Sequence, residues 1–107
     1  MIDRQSTQIA AAATTSGAVP LSGQLLCGLF TPPGMTGTAV TFLAAPTAAG
    51  PFARVGDGAG AAYSRTFAAG DFVPLDPAQF SGLDFVKVVS GAAEAGARDL
   101  TLCLRQG

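Results

Sequence analysis

Histidine and tryptophan are both missing from this chain, and tyrosine occurs once. Without histidine, a serine or cysteine nucleophile has no ordinary base beside it. The two cysteines form no Cys-x-x-Cys pair, so a structural zinc site has no ligand set. Without tryptophan, the aromatic platforms on which sugars stack are scarce, and Tyr63 is the lone phenol. Charge is scarce too, at 12% of residues with a net charge of -1. Arg4, Arg54, Arg65, Lys87, Arg98 and Arg105 are scattered among seven acids. No basic patch for phosphates can be read, and nucleic acid is not an expected partner. No run approaches the roughly 20 apolar residues that span a bilayer, so no membrane partner is expected. The weak apolar run "IAAAA", Ile9 to Ala13, is preceded by Asp3 and by Ser, Thr and Gln. It imitates a secretion signal poorly, and the chain is expected to be soluble and cytoplasmic when made.

Small residues fill the space that these absences leave. A chain of 107 residues has the usual size of one domain. Its 49% apolar content owes much to Ala and Gly, so the core must come from Val, Leu, Ile, Phe and the two cysteines. The surface is then largely Ala, Gly, Ser and Thr, which solvate weakly and point to a partner. Cys27 and Cys103 lie inside the apolar runs "QLLCGLF" and "LTLCLRQ". They read as small buried hydrophobes rather than a disulfide, and they can still be neighbours.

Helical periodicity is nearly absent, because Gly or Pro interrupts almost every ten residues. Strand signals are stronger. "QLLCGLF", Gln24 to Phe30, ends at Thr31-Pro32-Pro33-Gly34, where two prolines withdraw donors. "AVTFLAA", Ala39 to Ala45, puts Val40, Phe42 and Ala44 on one face, and Pro46 closes it. Short strands are expected over Phe52 to Asp57 and Ala62 to Ala69, around an Asp57-Gly58 turn. Phe72 to Leu75 carries Pro74 and reads as an edge or bend. Asp76-Pro77 turns the chain, and one tight turn drops Phe80 and Leu83 into the core before "LDFVKVVS". In Asp99 to Arg105, Leu100, Leu102 and Leu104 share one face and Thr101 and Cys103 the other. Most of the seven Phe read as core. With "STQIA" and "AVPLS" as further short runs, the pattern predicts an all-β chain. The expected form is an antiparallel β-sandwich or jelly roll of about eight short strands, residues 18–107, preceded by an extended N-terminal arm, residues 1–17.

No catalytic constellation can be assembled. Asp71, Asp76, Asp84, Glu94 and Asp99 supply carboxylates, but Asp before Pro is a turn former and Asp84 opens a strand. Asp57-Gly58-Ala59-Gly60 lacks the alternating oxygen ligands of a calcium loop. The nearby glycines precede neither a helix nor a Lys-Ser or Lys-Thr pair. An enzyme is not expected, nor is a metal or cofactor.

The order "GQLLCGLFTPPGMTGTAVTFLAAP", a D-G turn, "AAGDFVPLDPAQFSGLDFVKVVSG" and "RDLTLCLR" covers the chain from about Gly17 onward. It resembles small β-sandwich virion proteins of tailed bacteriophages and prophages, of the head decoration (cement) type. That resemblance implies a protein on the outer capsid surface, often a trimer, that bridges major capsid protein subunits after assembly in the host cytoplasm. The expected contacts are Ile2, Arg4 and Ile9 of the arm, which would order on binding and add a strand to a neighbour. The loop from Pro32 and Pro33 to an exposed Met35 completes that surface. The alternative expectation is a neck or tail-surface domain that binds a host polysaccharide in a groove of Tyr63, the Thr36 to Thr41 region and the loop near Glu94.

Overall fold

Alternating side chains give this sequence a two-sided ladder wherever apolar residues recur at every second position. The computed structural model describes residues 2–106 and contains nine strands. These are β1 (Ile2–Ile9), β2 (Val19–Pro20), β3 (Gln24–Phe30), β4 (Ala39–Ala45), β5 (Ala53–Arg54), β6 (Arg65–Thr66), β7 (Phe72–Pro74), β8 (Phe85–Ser90) and β9 (Arg98–Gln106). They form two antiparallel sheets, one ordered β1-β9-β3-β7 and the other β2-β8-β4-β5, with β6 also pairing with β4. The expected all-β sandwich is the fold.

β9 organises the first sheet. It pairs with β1 from Ile2↔Arg105 to Ile9↔Arg98, and with β3 from Gln24↔Gln106 to Phe30↔Thr101. The β3 register shifts between Leu26 and Gly28, a bulge at Cys27 that lets both Leu26 and Leu29 point inward. Leu100, Leu102 and Leu104 line the inner face of β9, as their spacing predicts. They join Val40 and Phe42 of β4 and Val86 and Val88 of β8 in one buried cluster. Phe42 and Phe80 meet edge-on at 5.1 Å, and Tyr63 meets Phe80 at 5.8 Å. Each fully buried phenylalanine contributes about 1.5–3 kcal/mol through area removed from water.

Two expectations are corrected. Ile2–Ile9, expected as an arm outside the sandwich, is its edge strand, and residues 10–17 strap the first sheet to the second. The Ser16 amide donates to Val88 O at 2.9 Å, and Ser16 Oγ accepts from the Val88 amide at 2.9 Å. The arm has no core-sized apolar run, but backbone pairing does not need one, and Ile9 at the end of the strand is buried at 0% exposure. Met1 lies outside the described residues. The short strands expected over 52–57 and 62–69 shrink further, to two residues each, because Gly58 and Gly60 take positive φ between them.

The proline-marked corner forms as expected. Pro77–Phe80 is a single 3₁₀ turn, Asp76 Oδ1 accepts from the Ala78 amide at 3.1 Å, and Phe80 is fully buried. The Tyr63 hydroxyl accepts from the Asp76 amide at 2.9 Å, so the aromatic cluster holds the corner in place.

Candidate functional site

β3 carries a glycine in mid-strand, which weakens a strand unless something needs the space. Here Phe72 needs it. Gly28 lies opposite Cys103 on one side and Pro74 on the other, and a Cβ at residue 28 would fall into the Phe72 ring. That ring lies across the outer face of the first sheet and packs against Phe30, with centroids 4.7 Å apart and planes tilted by 54°. Phe30 and Phe72 are 43% and 46% exposed, against the expectation that the phenylalanines are mostly core. The bulge at Cys27 is the reason for Phe30: it shifts the alternation so that Leu29 faces in and Phe30 faces out.

The same outer face is charged at its ends. Arg4, opposite Cys103, and Arg105, opposite Ile2, mark one end, and both are exposed. Asp99, six residues before Arg105 on β9, marks the other and accepts from Gln8 Nε2 at 2.9 Å. The two cysteines sit between, as free thiols, with Cys27 Sγ donating to Cys103 O at 3.3 Å. Burial pushes the Cys103 thiol up, and Arg4 opposes that only in part. Cys103 is buried, as expected, while Cys27 is half-buried.

A second constellation lies at the start of β9. Glu94 is the chain's only glutamate, and its carboxylate is closed off from water. Its oxygens accept the Thr36 amide at 2.8 Å, the Gly37 amide at 3.0 Å, the Ser90 hydroxyl at 2.7 Å and Arg98 Nε at 3.0 Å. Burial pushes this carboxyl up, but the Thr36 and Gly37 amides, Ser90 and Arg98 together outweigh it and hold it down at about 2. The Glu94 backbone also donates to Ala13 O and accepts from the Ala12 amide. One residue therefore pins the N-terminal strap, the 31–38 loop, the end of β8 and the start of β9. All its acceptors are used within the chain, so its work is structural.

The expected contact residues are not brought together as one patch. Ile9 is a core residue, and Met35, expected to be exposed, is only 8% exposed because its amide turns back toward Pro32 O and its side chain joins the core. Pro33 is exposed and Pro32 half-buried. Arg4 remains on the surface, and Ile2 is placed by its backbone opposite Arg105. Of the groove expected from Tyr63, the Thr36 to Thr41 region and the loop near Glu94, Tyr63 is buried, while Thr36, Thr38 and the loop residues Gly91 to Ala93 are exposed. The one aromatic surface sequence reasoning missed is Phe30 with Phe72, and the glycine inside "QLLCGLF" was its signal. For Glu94 the signal was a lone glutamate four residues before an arginine in a Gly- and Ala-rich loop.

At one end of the sandwich a pocket of about 420 Å³ opens between β5 and the turn before β8. Small side chains and backbone line most of it, with Arg54 and Asp84 on its walls. Arg54 Nη2 donates to Gly60 O at 2.8 Å, and Asp84 O accepts from the Leu21 amide at 2.9 Å. Asp57 Oδ1 accepts the Ala59 and Ala61 amides, which hold its carboxyl below the usual range and make it the brace of a plain turn.

No family model matches the sequence, and no curated protein does. Among solved structures, the fold is similar to that of the SPBc2 prophage-derived protein YomS. The likeness covers 97% of this chain and 94% of that one, with a TM-score of 0.57 and 12% identity. The Yersinia pseudotuberculosis-derived mitogen aligns over 100% of this chain and 86% of its own, with a TM-score of 0.43 and 11% identity. A protein from the disulfide-linked pili of Bacillus endospore appendages aligns over 100% and 88%, with a TM-score of 0.43 and 19% identity. At such identities the likeness to YomS is one of fold.

Proposed function

We propose that this chain is a structural protein of a tailed-bacteriophage particle, and within it a head decoration protein that binds the outer capsid surface and stabilises contacts between major capsid protein subunits. The observation that carries the reading is a sandwich similar, from end to end of both chains, to that of a prophage-derived protein. The sequence resemblance from Gly17 onward points the same way. The structure is compatible physically: carboxylates such as Asp57, Asp76 and Glu94 are spent on holding turns and loops, while aromatic surface is left facing outward. An adhesive role needs a rigid body and an apolar contact face, and no reaction centre.

Cryo-electron microscopy of the intact particle tests this reading. Decoration predicts density on the outer head lattice in hundreds of copies, and a head that resists heat less well when the gene is deleted. Density confined to the neck or tail, or a head whose expansion and heat resistance survive the deletion, refutes the decoration role. Among the described residues, the surface that offers itself for the contact is the outer face of the first sheet.

A further inference from the structure

The bulge in β3 sets two residues of one strand against a single residue of its neighbour. Leu26 lies opposite Leu104 and Leu29 opposite Leu102, all four turned inward, so Cys27 and Gly28 together flank Cys103. Cys103 stands between two inward leucines on β9, and Cys27 follows an inward leucine on β3. Both side chains therefore leave the sheet on its outer side. Cys27 Sγ leans onto β9 and donates to Cys103 O at 3.3 Å. Residues opposed across antiparallel strands stand about 4.5–5.5 Å apart at Cα, inside the roughly 4.4–6.8 Å that a disulfide spans. The β3 backbone is held here from its other side too, where the Leu75 amide donates to Cys27 O at 3.1 Å.

The two thiols, free in this structure, differ in access. Cys27 is half-buried and Cys103 only 5% exposed. We propose that Cys27 and Cys103 are an oxidisable dithiol, joined across β3 and β9 into an internal disulfide when the folded chain meets a low-molecular-weight disulfide.

Access sets the order of events. The Cys27 thiolate attacks one sulfur of the small disulfide, whose S–S bond breaks and releases one small thiol. The Cys103 thiolate, which nearby Arg4 favours against burial, then attacks Cys27 Sγ and releases the second. Two protein thiols are oxidised, one external disulfide is reduced to two thiols, and the two protons pass to those thiols. The bond ties residues 76 positions apart, so it restricts the unfolded chain more than the folded one. It does not depend on the virion role.

Titration of the folded full chain against mixtures of glutathione and glutathione disulfide tests this. After an acid quench and alkylation in urea, the expected product is a single chain with no alkylated cysteine and no retained glutathione, in which peptide mass spectrometry joins Cys27 to Cys103. At a fixed glutathione ratio, the oxidised fraction relative to reduced is expected to be at least about tenfold higher for the folded chain than for the chain in urea, because the fold holds the thiols within reach. Cys103→Ser is expected to retain one glutathione on Cys27, which the parent clears. The oxidised parent is expected to unfold at higher urea than the reduced one, and dithiothreitol to reverse the shift. The parent's own readings decide even where the serine variant fails to fold. A folded chain that keeps two free thiols in glutathione disulfide alone overturns the proposal. So do glutathione adducts that persist on the parent, cross-links between chains, or a bond that forms as readily in urea.

Discussion

Arg98 Nε donates to Glu94 Oε1 at 3.0 Å, across the turn that leads from β8 into β9. The arginine side chain is 20% exposed and the glutamate 0%, so the pair is solvated from one side only. Replacing Glu94 by Gln keeps the shape but sets an amide donor against donors and strands the guanidinium. The expected result is a loss of about 3 kcal/mol in unfolding free energy by urea titration, because a buried charge loses its partner. A loss under about 1 kcal/mol contradicts the pinning role.

Glu94 also sets a pH dependence. Its carboxyl falls from an ordinary 4.5 to about 2 in the fold, so the folded state favours the charged form. Its contribution is complete above 4.5 and is lost as the pH falls through about 2. The gap in stability between the parent and Glu94→Gln is therefore expected to narrow below 4.5 and to close near 2, in urea titrations repeated along that range. A gap that stays constant places the pKa elsewhere.

Two glycines separate a pinned neighbour from a movable one. A Cβ at Gly37 would fall onto Ser90 Oγ, which Glu94 holds in a buried network, whereas a Cβ at Gly28 would meet only the exposed Phe72 ring. Gly37→Ala is expected to destabilise by about 2 kcal/mol or more through overpacking. Gly28→Ala is expected to swing Phe72 off the sheet at a smaller loss of stability. Equal losses in both variants would show that the Phe72 ring is as fixed as Ser90.

Tyr63→Phe removes the acceptor for the Asp76 amide while leaving the ring packing intact. A loss of about 1 kcal/mol is expected, against about 3–5 kcal/mol for Phe42→Ala, which empties the middle of the core. Thermal or urea unfolding of the two variants measures both.

The thiols are expected to react unequally. Cys27 is half-buried, while burial pushes the Cys103 thiol up and keeps it protonated. Iodoacetamide under native conditions is expected to label Cys27 first, and Cys103 at a comparable rate only after denaturation, as read by peptide mass spectrometry.

Much of the fold was legible because strand patterning is local. The boundaries of β3 and β4 coincide with the apolar runs that end at Pro32 and Pro46, and β9 begins and ends within one residue of its alternating segment. The Asp76-Pro77 corner was legible for the same reason, since a cap and a proline act within one turn. The glycine-rich stretch around Gly58 misled in length, because alternation continues on paper where positive φ ends pairing. Met35 misled in burial, since a residue after two prolines looks exposed until its turn folds it inward.

The sequence by itself determined that extended segments would pair and that Leu100, Leu102 and Leu104 would share the inner side, since a period of two depends only on neighbouring residues. Tertiary structure decided the rest. It placed Ile2–Ile9 on β9 at the far end of the chain, brought Thr36 and Gly37 to a glutamate nearly 60 positions away, and left Phe30 and Phe72 facing outward. These outcomes turn on which distant backbone groups meet and where a bulge shifts the register, and a local signal such as Gly28 or the lone Glu94 marks a position without fixing its partner.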